Sequence, residues 1–418
     1  MNDFEYRENE LYCEDVPVRS IVERHGTPVY IYSANTLTRQ YRAYEKAFGS
    51  IPHIISFAMK ANSNQAVLRI FAKEDGGADI VSGGELYRAL KAGVSPQKII
   101  FAGVGKTEDE IRQAIEADVL MFNVESAAEL LRIDEVAGKI GKKGRVALRV
   151  NPDVDPKTHP YISTGMKKHK FGIPIEKALE EYKTAAALEN IEVIGIHQHI
   201  GSQLTDVTPY VDALKRLLNL VGELKQIGVN IQYVNVGGGL GITYEDEVPP
   251  QPKDLADAIG PLVKDLKCVL IMEPGRSLVG NAGIMVTRVL YLKEGEGKKF
   301  VIVDGAMNDL LRPSLYGAYH LIQPVRRTRR EKIKADIVGP ICETSDFLAR
   351  DREMDECRAG EDLAVMSAGA YGFVMASNYN SRPRIPEVLV HEDSFYLIRE
   401  RETHEDLIRG EHIPDFLK

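Results

Sequence analysis

The chain has 418 residues, of which 44% are hydrophobic and 27% are charged, with 35 Gly, 20 Pro and no Trp. This length predicts two or three domains, and the composition excludes collagen-like, disordered and membrane-spanning proteins. The 53 Lys and Arg residues stand against 61 Asp and Glu residues, a formal net charge of −8. We therefore expect no nucleic-acid partner and no attraction to anionic lipid. Small molecules and further copies of the chain are the expected partners.

The cysteines and the amino-terminal residues indicate the compartment. The cysteines are widely and irregularly spaced without a CxxC pair, as is typical of a reducing compartment: Cys13, Cys268, Cys342 and Cys357. The first 15 residues are acidic and lack the basic and apolar regions of a signal peptide. No later apolar run approaches the ~18 residues that a membrane helix needs. We expect a cytoplasmic protein without membrane contact.

The first strand-like run, residues 29–33, precedes a long region in which short apolar runs alternate with amphipathic segments. This alternation predicts parallel strands joined by helices, at 54–58, 78–81, 99–102, 119–123, 145–150, 193–199, 233–236 and 269–273. Eight such units within roughly 220 residues predict a closed (β/α)8 barrel over residues 36–281. We expect this barrel to be the cofactor-binding domain. A doubly wound open sheet is the alternative. Three joining helices carry capping-box pairs: Ser82 with Glu85, Thr107 with Glu110, and Ser126 with Glu129.

After about residue 282 the pattern changes to alternating β-branched runs with tight turns, for example 285–292 and 300–304 around a Glu-Gly-Glu-Gly turn. This pattern is typical of antiparallel β structure. We expect residues 1–35 to join 282–418 through the strand at 29–33, as one discontinuous β domain of sandwich or barrel type. The basic stretch 326–334 is interpreted as a solvated strand edge, because one short basic run in an acidic chain is weak evidence for nucleic-acid binding.

Chemically active side chains follow several of the predicted barrel strands, where catalytic groups of such barrels gather. Lys60 follows the first strand, and a lysine in an apolar barrel mouth suits Schiff-base chemistry because it loses hydration as a cation. Taken alone, a solvated lysine is the stronger interpretation. Three glycines, 237–239, follow the seventh strand. Their unobstructed amides can wrap a phosphate, although a tight turn explains them equally well.

The sixth and eighth strands supply the other candidates. His197 and His199 share one face of the sixth strand. No third ligand lies near them in the sequence, so we expect no metal and favour an imidazole stacked on a planar ring. Glu273 and Arg276 follow the eighth strand, with a surface ion pair as the alternative. Lysine, stacking histidine, phosphate turn and carboxylate are together what pyridoxal phosphate requires.

The chain also resembles the diaminopimelate decarboxylase family, pyridoxal-phosphate enzymes of the alanine-racemase-like fold type III. The resemblance covers nearly the whole length and rests on short segments in order: 56–62 (SFAMKAN), 159–165 (HPYISTG), 170–172 (KFG), 197–203 (HQHIGSQ), 237–242 (GGGLGI), 273–276 (EPGR), 311–316 (LRPSLY), 342–343 (CE) and 369–372 (GAYG). Thr344 and Ser345 depart from the Ser-Gly expected after Glu343, but a hydroxyl is retained.

The resemblance implies the cofactor pyridoxal 5'-phosphate and the decarboxylation of meso-2,6-diaminopimelate to L-lysine and CO2, the last step of lysine biosynthesis. It implies that Lys60 carries the internal aldimine and that His199 stacks on the cofactor ring. Glu273 would keep the pyridine nitrogen protonated, so that the ring accepts electrons as CO2 leaves. Further cofactor contacts are implied for Ser202, Gly239, Pro274, Gly275, Arg276 and Tyr371.

The β domain is implied to complete the site. Cys342, on its residue type alone a small buried hydrophobe, would reprotonate Cα from the other subunit of a homodimer with shared active sites. The distal carboxylate of the substrate would be bound by two arginines and a tyrosine, and its distal ammonium by a glutamate. These substrate contacts, with one tyrosine that also touches the cofactor, are implied for Arg276, Arg312, Tyr316, Glu343 and Tyr371.

Three other functions stay open at this point. A decarboxylase of ornithine, arginine or carboxynorspermidine with the same fold would keep the cofactor residues, but it needs no cations aimed at a distal carboxylate. A racemase is disfavoured by Glu273, because racemases of this fold place an arginine there. A non-catalytic relative that only binds the cofactor or a partner is disfavoured by the retention of Lys60 and Cys342.

Overall fold

The computed structural model describes residues 2–154 and 170–418. The described residues fall into two compact units, one of residues 37–279 and one that combines residues 1–36 with 280–418. Within the described ranges no helix is both long enough and apolar enough to cross a membrane.

The amino-terminal residues form a small antiparallel sheet and one longer strand. The elements are β1 (Phe4–Arg7), β2 (Glu10–Cys13), β3 (Val16–Pro17), α1 (Val18–His25) and β4 (Val29–Ser33). All five residues of β4 are buried. The predicted strand at 29–33 is therefore confirmed, and its continuous burial explains why it carries no polar face.

In the described part of the chain, eight parallel strands close into a barrel. They are β5 (His53–Ala58), β6 (Gly77–Ile80), β7 (Ile99–Phe101), β8 (Met121–Val124) and β9 (Gly144–Asn151), to which the short β10 (Ile173–Pro174) is added, then β11 (Ile191–His197), β12 (Tyr233–Asn235) and β13 (Val269–Met272). β13 pairs with β5 and β8 with β9, so the ring is closed. The predicted barrel is confirmed, with strand ends shifted by at most two residues, and an open sheet is excluded.

Side chains from several strands fill the barrel interior, among them Ile100, Met121, Ala147 and Ile271. The barrel is therefore a packed core, and any ligand must bind at one of its ends.

Helices join the strands and cover the barrel: α2 (Ala34–Phe48), α3 (Gln65–Lys73), α4 (Gly83–Ala92), α5 (Glu108–Glu116), α6 (Ala127–Lys139), α7 (Ile175–Ala187), α8 (Thr208–Gln226), α9 (Pro252–Val263) and α10 (Arg276–Val279). The predicted caps are present, since Ser82, Thr107 and Ser126 each accept from the amide three residues on. At Thr107 the box is complete. Glu85 and Glu129 instead accept from the amide one residue before the cap, at 2.7 and 3.0 Å.

The second unit is built on a mixed sheet. Its elements are β14 (Gly283–Gly295), β15 (Lys298–Val303), α11 (Arg312–Tyr316), β16 (Ile322–Pro324), β17 (Lys332–Val338), β18 (Phe347–Asp355), β19 (Asp362–Val365), β20 (Glu387–His391), β21 (Ser394–Arg399) and α12 (His404–Leu407). The strand order is β18-β17-β15-β14-β4-β20-β21, and β14 also pairs with β19, which pairs with β16. The predicted hairpin is confirmed as β14 and β15.

Two features of this sheet differ from the expectation. β4 runs parallel to β20 and β15 runs parallel to β17, so the sheet is not purely antiparallel. The basic stretch enters β17, which lies between β15 and β18 rather than at an edge. Lys332 and Lys334 are nevertheless exposed, because alternate side chains of this strand face solvent.

Candidate active site

Lys60 lies at the carboxyl end of the first barrel strand, in a single 3-10 turn, Met59–Ala61, that follows β5. Its ammonium reaches the buried carboxylate of Asp79 at the end of β6. Burial raises the pKa of Asp79 to about 7, with a further contribution from the negative charge of Glu273 and opposition from Lys60. Lys60 is thus both solvent-exposed and paired with a buried acid, so its role in binding a cofactor stays a prediction.

Glu273 follows β13 and is buried. Its Oε1 accepts hydrogen bonds from Nδ2 of Asn123 at 3.0 Å and Nδ2 of Asn235 at 2.6 Å. Its Oε2 lies 3.4 Å from Nε2 of His197. Burial acts to raise the pKa of Glu273, but His197, Lys60 and Asn235 outweigh it and hold the pKa below its usual value. The site therefore contains a buried, ionised carboxylate that polar side chains stabilise.

His199 follows β11 and is partly buried. The amide of Gly238 donates to its Nδ1 at 3.2 Å, which places the proton of the neutral ring on Nε2. Burial, followed by the positive charges of Arg149 and Lys60, lowers the pKa of His199 well below its usual value. The ring is therefore neutral and flat, which suits stacking on another planar ring.

The glycines after β12 form a turn that requires glycine. Gly237 has φ +71° and Gly239 has φ +123°, a region that other residues rarely adopt. A Cβ on Gly238 would lie 1.9 Å from the carbonyl oxygen of Glu273. A Cβ on Gly239 would lie 2.4 Å from the carbonyl oxygen of Gly201. Close packing of the turn thus explains these glycines without a phosphate.

The remaining residues of the predicted cofactor motif lie beside this turn. The carbonyl of Pro274 accepts from the amide of Ala58 at 3.1 Å, which fastens the end of β13 to the strand that precedes Lys60. Arg276 is buried and donates to Ser202 Oγ at 3.2 Å and to the hydroxyl of Tyr244 at 2.5 Å. A surface ion pair between Glu273 and Arg276 is thus excluded, because both are buried with other partners.

Gly275 also has a packing reason, since a Cβ there would lie 3.2 Å from the Cβ atoms of Ala58 and Ala61. The structure therefore brings together, at the carboxyl ends of the barrel strands, the predicted barrel residues Lys60, His199, Ser202, Gly239, Glu273, Pro274, Gly275 and Arg276.

The predicted substrate residues of the second unit have a different setting. Arg312 begins α11 and is buried, with one guanidinium nitrogen 2.8 Å from Nε2 of His320. Cys342 is exposed, so the interpretation of a buried hydrophobe is wrong. Tyr316 is partly exposed, and Tyr371 has a left-handed backbone with φ +55°. Whether these residues meet the barrel residues stays a prediction.

The loop around Cys342 is held in place by hydrogen bonds. The amide of Cys342 donates to Oδ1 of Asn380 at 2.8 Å, and the hydroxyl of Tyr379 donates to Oε2 of Glu343 at 2.6 Å. Hydrogen bonds from Ser345 and Tyr379 lower the pKa of Glu343. This loop therefore presents an exposed thiol and an ionised carboxylate on an ordered backbone.

Several polar residues of the site were not singled out by the sequence reasoning. Each is a buried polar residue near the carboxyl end of a barrel strand, where barrel sites form: Asp79, Asn123, Arg149 and Asn235. A polar residue at such a position is the signal that could have identified them. The segment 159–165 of the family motif lies outside the described residues.

The side chains present fit pyridoxal phosphate. They supply an amine, a neutral imidazole, an ionised buried carboxylate, and a turn flanked by serine and arginine. Oδ1 of Asp79 is buried and has no hydrogen-bond partner among the described residues, as expected beside a polar ligand. Among those same residues, no group of three His, Cys, Asp or Glu side chains is placed to hold a metal ion.

Comparison with known proteins identifies the family. Residues 34–280 match the model of the pyridoxal-dependent decarboxylases, pyridoxal binding domain. The diaminopimelate decarboxylases of Aquifex aeolicus and Pseudomonas aeruginosa are 53% and 52% identical to this chain, over 97% and 99% of it and 96% and 99% of their own length. The chain belongs to the diaminopimelate decarboxylase family.

Solved structures of this family have the same architecture. The diaminopimelate decarboxylase from M. jannaschii in complex with L-lysine is 42% identical, with a TM-score of 0.95 over 100% of both chains. The family member from Helicobacter pylori complexed with L-lysine is 42% identical, with a TM-score of 0.91 over 94% of this chain and 98% of its own. Family membership confirms the barrel with a separate β domain, the pyridoxal phosphate cofactor and the decarboxylase class.

Proposed function

We propose that this chain decarboxylates meso-diaminopimelate to L-lysine and CO2. The observation that carries the proposal is the buried, ionised Glu273 held at the barrel mouth, where Lys60 is also located. Full-length relatives at about half identity are diaminopimelate decarboxylases, which supports the choice of substrate. A cytoplasmic location stays a prediction of the sequence.

Pyridoxal phosphate, when bound, supplies a carbonyl that condenses with the substrate amine and a ring that accepts the electron pair left when CO2 departs. Lys60 would provide the amine that holds the cofactor covalently, and Asp79 accepts a hydrogen bond from Lys60 at 3.3 Å. Glu273 would accept a hydrogen bond from the ring nitrogen and favour the proton there, because its own pKa is low. The neutral ring of His199 would pack on one face of the cofactor.

The glycine turn and its neighbours are proposed to hold the phosphate. The backbone amide of Leu204 donates to the carbonyl of Gly239 at 2.9 Å, and the hydroxyl of Tyr210 donates to the carbonyl of Gly238 at 3.1 Å. With these carbonyls satisfied from behind, the turn keeps a fixed shape. Ser202 and Arg276 lie beside it and add a hydroxyl and a cation for the anion.

The second unit is proposed to supply the distal substrate contacts. Arg312, Tyr316 and Arg276 would bind the distal carboxylate, Glu343 the distal ammonium, and Tyr371 both substrate and cofactor. A substrate without the distal amino-acid group leaves these charges unmatched, which costs on the order of several kcal/mol.

Cys342 is proposed to protonate Cα from the partner subunit of a homodimer. Its exposure, together with the ordered backbone of its loop, supports delivery to a neighbouring molecule. A thiol that served only the interior of its own unit would instead be expected to be buried.

The proposal is tested by incubating the purified holoenzyme with meso-diaminopimelate and measuring L-lysine and CO2. L-Ornithine and L-arginine serve as comparison substrates, because neither has a distal carboxylate. Equal or faster release of CO2 from either would contradict the substrate assignment. Cofactor absorbance without release of CO2 from any of the three would contradict the enzymatic function.

A further inference from the structure

Glu273 is surrounded by polar side chains that three other barrel strands contribute. Asn123 is the penultimate residue of β8, Asn235 ends β12 and His197 ends β11, and all three are buried around its carboxylate. We propose that Asn123 and Asn235 are positioning residues that hold Glu273 in its charged form and aim it at the cofactor ring nitrogen. The inference rests on the proposed function, which makes Glu273 the partner of that nitrogen.

The orientation of Asn235 is fixed at both ends of its amide. Its Oδ1 accepts from the amide of Gly237 at 2.9 Å, so its NH2 group must face Glu273, to which it donates at 2.6 Å. A backbone N–H can only donate, so this amide has one permitted orientation. Asn235 therefore links the carboxylate to the first residue of the glycine turn, and it sets the spacing between the two proposed cofactor contacts.

Asn123 adds a second donor to the same oxygen. Its NH2 group lies 3.0 Å from Oε1 of Glu273, while its own Oδ1 has no hydrogen-bond partner among the described residues. An Oε1 that carried a proton would face the NH2 group of Asn235, whose orientation is fixed and which cannot accept it. Donors that converge on one carboxylate oxygen thus favour its charged form.

Other charges face Glu273 and act in both directions. Lys60 and His197 favour the charged carboxylate, and Glu273 in turn favours the charged form of His199. Asp79 disfavours the charged form of Glu273, because two buried carboxylates repel each other. Burial also disfavours the charged form of Glu273. The two asparagines supply neutral donors, whose effect on Glu273 does not change with pH.

The inference predicts a change in the position of one proton. Loss of a hydrogen bond to a charged group makes the carboxylate more basic by about one to two pH units. The equilibrium between a proton on the ring nitrogen and a proton on Glu273 should therefore move about 10- to 100-fold toward Glu273 in Asn123→Leu and in Asn235→Leu. Asn235→Leu should also weaken cofactor binding, because the amide of Gly237 loses its acceptor.

The experiment is nitrogen NMR of the holoenzyme reconstituted with pyridoxal phosphate labelled at the ring nitrogen with 15N. The expected result is a chemical shift of the protonated ring in the wild type, and a shift toward the neutral ring in both leucine variants. Asn190→Leu, at the opposite end of β11, is the matched control and should keep the wild-type value. Where a leucine variant does not fold, Asn123→Ala or Asn235→Ala replaces it, because alanine removes the same donor.

Glu273→Gln separates the inference from the proposed function. If this variant moves the ring-nitrogen shift but the variants of both asparagines keep the wild-type value, the positioning role is rejected and the role of Glu273 stands. If Glu273→Gln also keeps the wild-type value, the proposed role of Glu273 is rejected together with the inference. A shift in the asparagine variants that parallels Glu273→Gln supports both.

Discussion

Nζ of Lys60 lies 3.3 Å from Oδ2 of Asp79, and 42% of the lysine side chain is exposed against 1% of the aspartate side chain. The lysine thus contacts a buried acid while its side chain remains accessible at the end of the barrel. Burial and the charge of Glu273 raise the pKa of Asp79 to about 7. The pair therefore combines a reachable amine with an acid that titrates near neutral pH, and this gives the first prediction.

Asp79→Asn should gain thermal stability relative to the wild-type apoprotein as the pH rises. The unfolded aspartate has its pKa near ~3.9, whereas the folded one has it at about 7. The contribution of Asp79 to stability is therefore complete below about pH 4 and is lost as the pH rises to about 7. Calorimetric melting of both proteins across this range measures the difference in Tm. Asp109→Asn removes an exposed carboxylate as a control, and a pH-independent difference for Asp79→Asn would contradict the prediction.

Lys60→Ala should lose covalent attachment of the cofactor and essentially all turnover while it stays folded, because a residue at the barrel mouth is not part of the core. Borohydride reduction of the wild-type holoenzyme, followed by peptide mapping, locates the modified lysine. Lys73→Ala, on the exposed end of α3, should keep both properties. A label found on a lysine other than Lys60 would reject the assignment.

Glu273→Gln should bind the cofactor through its phosphate but decarboxylate about a hundredfold more slowly or worse. Glutamine is neutral, so it no longer favours a proton on the ring nitrogen. Single-turnover kinetics of the reconstituted variant separate the chemical step from cofactor binding. Turnover near that of the wild type would show that Glu273 does not control the protonation of the ring.

Arg312→Lys should lower kcat/KM for meso-diaminopimelate about 10- to 100-fold, because lysine cannot make the forked contact of a guanidinium with a carboxylate. Arg312 is already oriented by His320, whose Nδ1 lies 2.8 Å from the carbonyl of Met366. Steady-state kinetics measure the loss, with Arg329→Lys at an exposed position as the matched control. Unchanged kcat/KM would remove Arg312 from the substrate site.

Mixed dimers test whether Cys342 serves the neighbouring subunit. Cys342→Ala and Lys60→Ala should each be nearly inactive, but random exchange of their subunits should restore about a quarter of the wild-type activity per site. Half of the dimers are then mixed, and one of their two sites carries neither lesion. If the cysteine served its own subunit, every site would keep one lesion and no activity would return.

Controls make the mixing experiment decisive. Subunit exchange is verified with differently tagged chains, and Cys268→Ala, at a partly buried cysteine, should keep full activity. An active Cys342→Ala homodimer would reject the thiol as proton donor.

The sequence by itself determined the barrel and the residues that end its strands. Short apolar runs such as β7 are buried over their whole length, and this burial leaves a continuous apolar run in the sequence. The helix starts at Ser82, Thr107 and Ser126 are equally local, because a cap involves residues three apart. Lys60 and Glu273 were predicted because each lies at the carboxyl end of a predicted strand.

The tertiary structure alone decided which side chains meet. Asn123, Asn235 and Glu273 are separated by up to 150 residues, and closure of the ring, not any local pattern, brings their strands to one carboxylate. The same holds for the pairing of Lys60 with Asp79 and for the parallel alignment of β4 with β20. Periodicity reports whether a residue is buried, whereas the identity of its neighbour depends on how distant strands close the sheet.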